Sequence, residues 1–198
     1  TVMLRNNQSA RFDTASGNRV YFEGHSDFLT KGSGTFTVDV SASTLTYAPS
    51  ASELAQFASD PTGFVAVAPQ LVELVRADGA AASGLVLRNL NFSYAAADFS
   101  ACLAGTCDAQ SAAFLSTAAV HFELASDVLL SGVGIAHSDG NGVWIGKGSR
   151  NVVMDRLHVW DVGAGAVRIG PAASGISGDS RADNVSLTNS VLEDGGVV

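Results

Sequence analysis

Asp127-Val-Leu-Leu-Ser-Gly-Val-Gly-Ile-Ala-His137, Asn151-Val-Val-Met-Asp-Arg-Leu-His-Val-Trp-Asp161 and Asn184-Val-Ser-Leu-Thr-Asn-Ser-Val-Leu-Glu-Asp194 are three copies of one pattern. Each opens on an Asx residue and places apolar residues at matching offsets. These are Val128, Leu130, Val133 and Ile135 in the first copy, and Val152, Met154, Leu157 and Val159 in the second. In the third they are Val185, Leu187, Val191 and Leu192, with one position shifted. Shorter apolar stretches lie between the copies: Val120-His-Phe122, Val143-Trp-Ile-Gly146 and Val167-Arg-Ile-Gly170. Val120 to Val143 is 23 residues and Val143 to Val167 is 24. Turns rich in glycine, Asp139-Gly-Asn-Gly142 and Gly163-Ala-Gly165, separate the pieces.

A period near 23 residues, with two short strands per repeat and β-branched inward positions, predicts a solenoid of stacked coils. One coil cannot bury its apolar row alone, whereas coils stacked at the ~4.8 Å strand spacing form a continuous column of Val, Ile and Leu. Leucine-rich repeats share such a period, but their Leu-x-x-Leu-x-Leu spacing is missing. The expected fold is therefore all-β, a right-handed parallel β-helix. Asp127, Asn151 and Asn184 are expected to form an Asx ladder at one corner, with stacked amides bonding coil to coil.

Outward from the repeats, residues 84–92 and 71–76 read as earlier coil strands, so the helix is expected over residues 71–198. Two Ala/Ser-rich excursions, 93–117 and 171–181, interrupt it. Residues 1–70 follow a different pattern. Arg19-Val-Tyr-Phe-Glu23, Gly34-Thr-Phe-Thr-Val-Asp39 and Thr44-Leu-Thr-Tyr47 alternate polar and apolar at period 2. This predicts an N-terminal antiparallel β-hairpin region packed on the helix, with one helical turn over Ser52–Phe57. The chain reads as a processed protein or an excerpt of a longer one, with neighbouring coils or another chain capping the exposed strand edges.

Composition narrows the function classes. A net charge of −8 argues against nucleic acid or an anionic membrane as partner, because both require clustered Lys and Arg. No apolar run approaches the ~20 residues that span a bilayer. Cys102 and Cys107, the only cysteines, have no neighbouring His that would suggest zinc. A local disulfide clipping a surface loop is the favoured reading, beside that of two unpaired thiols. Asn-x-Ser sequons at Asn7, Asn91 and Asn184 fit an exported glycoprotein, although such triplets also arise by chance in a Ser-rich chain.

His137, Asp161 and Asp194 each fall two residues past the last inward apolar position of their copy. Stacking therefore predicts a polar column. Adjacent Asp161 and Asp194 carboxylates would stand about 5 Å apart, near the separation of a retaining glycosidase pair. The competing reading is turn chemistry: Asp ahead of Gly caps its own backbone, and Asp161-Val-Gly163 and Asp194-Gly195 have that form. A stacked Asp column also suits Ca²⁺, but no tight Asp cluster supports a metal, and no cofactor is expected. His121, Trp144 and Arg168 share one offset in successive coils. Trp144 with Arg168 suggests a sugar-stacking platform, alongside the reading in which Arg168 pairs with a carboxylate and Trp160 packs under a loop. Glu123 faces the space left by Gly146 and Gly170 and is a spare acid.

Arg19-Val-Tyr-Phe-Glu23, Gly34-Thr-Phe-Thr-Val-Asp39, Thr44-Leu-Thr-Tyr-Ala-Pro49 and Val67-Ala-Pro69 together resemble the lead-in of bacterial right-handed β-helix proteins that include glycoside hydrolase family 141. His137-Ser-Asp-Gly-Asn-Gly142, Asp161-Val-Gly-Ala-Gly-Ala-Val-Arg-Ile-Gly170 and Asp194-Gly-Gly196 continue the resemblance in order. It implies an enzyme acting on fucose- or xylose-containing polysaccharide, with Asp161 and Asp194 catalytic; His137, Trp144 and Arg168 are the candidate substrate-binding residues by their places in the repeat. The family's Gly-Glu-Trp is here Gly34-Thr35-Phe36, and the relatives continue through further coils beyond the Asp-Gly-Gly. The Asn-Thr-Asp, Asp-Asp and Gly-His-Gly signatures of pectin lyases and polygalacturonases are missing. A non-catalytic β-helix serving as a structural, fibre or carbohydrate-binding surface is the alternative.

Overall fold

The structure is a computed structural model describing residues 26–39, 41–60, 62–75, 82–97, 117–170 and 181–196. The strand expected at Arg19–Glu23, Asn7, Cys102, Cys107 and most of both excursions lie outside these residues. Two compact units divide the chain, one within Arg11–Phe64 and one from Val65 onward.

In the smaller unit, β1 (Thr35–Asp39) and β2 (Thr44–Ala48) form the expected antiparallel hairpin. The Asp39 carboxylate closes its turn by accepting from the Ala42 N–H at 3.0 Å and the Ser41 hydroxyl at 2.6 Å. A helix, α1 (Ala51–Ser59), follows, longer than the single turn expected from Ser52–Phe57. The reason is a capping box: Ser50 Oγ accepts from the Glu53 N–H at 3.4 Å, and Glu53 Oε2 accepts from the Ser50 N–H at 2.8 Å. Tyr47 packs edge-on to Phe57, ring centroids 5.9 Å apart.

The larger unit is built of short parallel strands. In chain order these are β3 (Val72–Leu74), β4 (Ala82–Ser83), β5 (Val86–Arg88), β6 (Asn91–Ser93), β7 (Ala118–Phe122), β8 (Ala125–Ser131), β9 (Gly134–Ser138) and β10 (Asn141–Ile145). The remainder are β11 (Arg150–Asp155), β12 (His158–Val162), β13 (Val167–Ile169), β14 (Asp183–Thr188) and β15 (Val191–Leu192). They fall into three parallel sheets, ordered β13-β10-β7-β3, β14-β11-β8-β4 with β5 also on β8, and β15-β12-β9-β6. From β7 onward the chain visits the three sheets in strict rotation, and from β8 onward each strand lies beside the one three strands earlier.

Each repeat thus has three strands, not the two expected. The long copies are broken internally, at Gly132 in the first, where φ is 63° and the backbone turns between β8 and β9. The apolar offsets stack as the sequence implied, with Val152 between Val128 and Val185, and Val159 between Ile135 and Leu192. The third copy is corrected in one place. Val191 pairs with His158 on the outward face, and Ser190 occupies the position of Val133 and Leu157. There Ser190 Oγ accepts from the Leu157 N–H at 2.9 Å and donates to the Thr188 carbonyl at 2.7 Å.

Left-handed residues mark the corners at a five-residue spacing. Gly84, Asn89 and Tyr94 have positive φ, as do Asp127, Gly132 and His137, then Asn151, Arg156 and Asp161, then Asn184, Asn189 and Asp194. Gly, Asn and Asp dominate because L-residues with larger side chains pay a steric cost there. The Asx ladder forms at the first corner: Asn151 Nδ2 donates to Asp127 Oδ1 at 3.0 Å, and Asn184 Nδ2 donates to Asn151 Oδ1 at 2.8 Å. Inside, Val120, Phe122, Leu130, Ile135, Val143, Ile145, Met154 and Val159 are fully buried. The first excursion starts later than residue 93, because β6 and Ala95 belong to the stack and Ala95 accepts from the Asp139 N–H at 2.9 Å.

Candidate functional site

The third corner carries the predicted column. Trp160 pairs with Ala136 and Val162 with Ser138, which sets Asp161 beside His137; a bridge from Val162 to Gly195 sets Asp194 beside Asp161. All three sit at φ between 47° and 52°, a conformation that throws each side chain outward from the corner. The imidazole Nδ1–H of His137 donates to Asp161 Oδ2 at 2.6 Å. Both side chains are solvent-accessible, at 43% and 62% of their surface. Among the described residues none hydrogen-bonds the Asp194 carboxylate. The two aspartates are therefore chemically unequal although their backbones are equivalent.

Three further rings join this column: Tyr94 and His158, for which no role was expected, and Trp160, for which packing under a loop was one reading. Tyr94, one strand earlier and also left-handed, stacks on His137 with centroids 5.3 Å apart and planes 19° apart. His158 stacks on Trp160 at 4.3 Å, and its Nε2 lies 2.8 Å from Glu193 Oε1. Trp160 turns its edge to His137 at 6.4 Å. The indole lies over Gly134 of the neighbouring strand, its Cζ3 at 3.5 Å from where a Cβ would stand, and the space left by the missing side chain is taken by Asn91 Oδ1. Trp160 therefore belongs to the outer face of the site. Alternation along β12 was the available signal, since His158 and Trp160 are two residues apart and so share a face. Tyr94 was hidden by the excursion, which lengthens its distance to His137 to 43 residues instead of the 24 from His137 to Asp161.

The expected Trp144–Arg168 platform is different in kind. Glu73, His121, Trp144 and Arg168 do stack in register across β3, β7, β10 and β13. That register is what closes the platform. His121 covers one face of the indole at 4.2 Å and 14°, the Arg168 guanidinium lies 4.4 Å from the ring centroid, and Trp144 is only 4% exposed. Its Nε1–H donates to the Gly170 carbonyl at 2.7 Å. A sugar ring has no indole face left to stack on, so Trp144 and Arg168 form an internal cation–π stack. Glu123 does fill the space over Gly146, its Cγ lying 2.9 Å from where a Cβ would stand, but a Cβ on Gly170 would meet no described residue within 4 Å.

Among the described residues no group of three or more His, Cys, Asp or Glu side chains is placed to hold a metal ion, and no helix is long and apolar enough to cross a membrane. Asn91 is exposed, whereas the Asn184 amide nitrogen, the atom a glycan would occupy, is engaged with Asn151. No family model, curated protein or solved structure matches this chain.

Proposed function

We propose that the three-sheet unit is a right-handed parallel β-helix and that its third corner is the active site of an extracellular glycoside hydrolase. The observation that carries this reading is the in-register column of His137, Asp161 and Asp194, with His137 bonded to only one of the two carboxylates. Neighbouring strands lie ~4.8 Å apart, which suits the ~5–5.5 Å separation of a retaining pair. The resemblance to glycoside hydrolase family 141 supports the same two residues and a fucose- or xylose-containing polysaccharide as substrate. Exported status and glycosylation at the exposed Asn91 belong to this reading.

The hydrogen bond divides the roles. Asp161 Oδ2 is committed to His137, which leaves Oδ1 to attack the anomeric carbon. As the glycosidic C–O bond breaks, Asp194 gives its proton to the leaving oxygen, and a glycosyl ester forms on Asp161. Water then attacks that ester, returning a proton to Asp194 and restoring the Asp161 carboxylate. His137 is the positioning residue. Tyr94 and Trp160 are the aromatic surfaces nearest the pair.

Asp161→Asn and Asp194→Asn test this in the full-length chain, because Asn tolerates the left-handed corner. Each should lower hydrolysis of 4-nitrophenyl fucoside or xyloside, or of xylan, by about 10²–10⁴-fold, with urea unfolding little changed. Azide should rescue Asp161→Gly with inverted anomeric configuration and Asp194→Gly with retained configuration. Unaltered turnover in both Asn variants removes the reading.

One observation favours a second reading, a non-catalytic β-helix used as a binding or structural surface. Asp161 and Asp194 occupy left-handed positions that turn chemistry alone would fill with Asp. Under that reading both Asn variants keep full binding to polysaccharide, and the wild-type chain releases no reducing sugar.

A further inference from the structure

His121 takes no part in the proposed chemistry and yet is the one histidine that is buried among the described residues, 6% exposed. Its Nε2 has no hydrogen-bond partner among the described residues. Four side chains surround the ring. Gln70 Nε2, from the segment ahead of β3, lies 3.3 Å from Nδ1. Glu73 Oε1 on β3 stands 4.0 Å from the same nitrogen, and Glu123 Oε1, just past the end of β7, stands 3.7 Å from Nε2. Trp144 on β10 stacks against the ring, with the Arg168 guanidinium of β13 also on the indole. Glu73, Glu123 and Arg168 are the charged groups that act on His121.

In the neutral ring, Nδ1 accepts from the Gln70 amide, so the ring proton sits on Nε2. There 3.7 Å to Glu123 is too long for a hydrogen bond. Adding one proton reverses this arrangement. Both nitrogens become donors, the Gln70 N–H meets another N–H, and two carboxylates already stand within a small side-chain movement of the ring. The imidazolium also lies on an indole that carries a second cation.

We propose that His121 is an acid-operated latch: one proton exchanges Gln70 for Glu73 and Glu123 as its partners and removes the side-chain anchor of the segment leading into β3. The segment is poised for this, because Val65 and Val67 are 75% and 83% exposed. Burial holds the His121 imidazole below its ordinary range, against the pull of Glu123 and Glu73, so the latch works on the acid side of neutrality. It needs no ligand and is independent of the hydrolase reading.

The test uses the full chain with Trp160→Phe, which leaves Trp144 as the sole tryptophan, and imidazole NMR from pH 8 to pH 4. His121 should titrate below the free-imidazole range, Trp144 emission should fall in step with it, and exchange of the Leu71 and Val72 amides should accelerate over the same window. Glu123→Gln should move the midpoint lower, and Gln70→Met should move it higher. Trp144 emission that stays flat while His121 titrates, or a midpoint indifferent to both substitutions, overturns the latch. The NMR titration of the unsubstituted chain gives the His121 midpoint even where a variant fails to fold.

Discussion

At the scale of single residues, stacking turns one-dimensional position into partnership. Asn151 shows this most simply. Its amide donates to Asp127 and its carbonyl accepts from Asn184, so one side chain ties three strands together at a backbone φ of 54°. Asn151→Ala should lose both bonds and strain the corner, lowering stability by about 1–2 kcal/mol in urea unfolding. Asn151→Gly keeps the corner relaxed and should lose less. His121 gives the residue-scale pH dependence. Its folded pKa lies below the unfolded value of 6.5, so the unfolded chain takes up this proton first. Stability should therefore be complete above pH 6.5 and fall as pH drops toward the folded pKa, then level off. His121→Gln should abolish that slope in pH-dependent thermal unfolding. The carboxylates of Asp39, Glu53 and Asp155, lowered chiefly by hydrogen bonds, act in a separate window below about pH 4.

At the scale of elements, each strand is short and contributes few inward side chains, so its stability comes from the strands on either side. Leu130 on β8 is fully buried between β5 and β11, while the equivalent Leu187 on β14 is 38% exposed. Leu130→Ala should cost about 2–5 kcal/mol and Leu187→Ala markedly less, as read by denaturant midpoints. Glycines that receive a neighbouring strand are equally exacting. A Cβ on Gly142 would stand 2.6 Å from the Ala166 carbonyl oxygen and 2.7 Å from Val159 Cγ1. Gly142→Ala should therefore destabilise by about 1–3 kcal/mol, since backbone cannot give way as a flexible side chain can. The α1 helix obeys a local rule instead: its start is fixed by the Ser50–Glu53 box, which also draws Tyr47 toward Glu53.

At the scale of the molecule, the three-sheet unit is a stack whose middle is better covered than its last layer. Ile169, Leu187 and Leu192, the last described members of their columns, are 54%, 38% and 43% exposed, while their counterparts Ile145, Met154 and Val159 are fully buried. Amide exchange should accordingly be slowest in β8 and β11 and fastest in β13 to β15. Equal protection across all layers would contradict this picture of a stack held by nearest neighbours. The candidate site lies across this gradient, with Asp161 in a well-covered layer and Asp194 in the last one.

Which residues become neighbours follows from the order of the amino acids. A repeat of 23 or 24 residues with fixed apolar offsets forces like positions into one column, and so the Asx ladder, the His137–Asp161–Asp194 column and the His121–Trp144–Arg168 row were all legible. What those neighbours do to one another depends on how the layers pack. The side chains of a parallel stack lie face to face, so the row that promised an open sugar platform at Trp144 covers it on both sides. The same geometry bonds His137 to one aspartate and leaves its twin without a bond from any described residue. Spacing along a chain fixes adjacency, whereas rotamer, burial and the length of an excursion, which concealed Tyr94, are settled only when the layers close on each other.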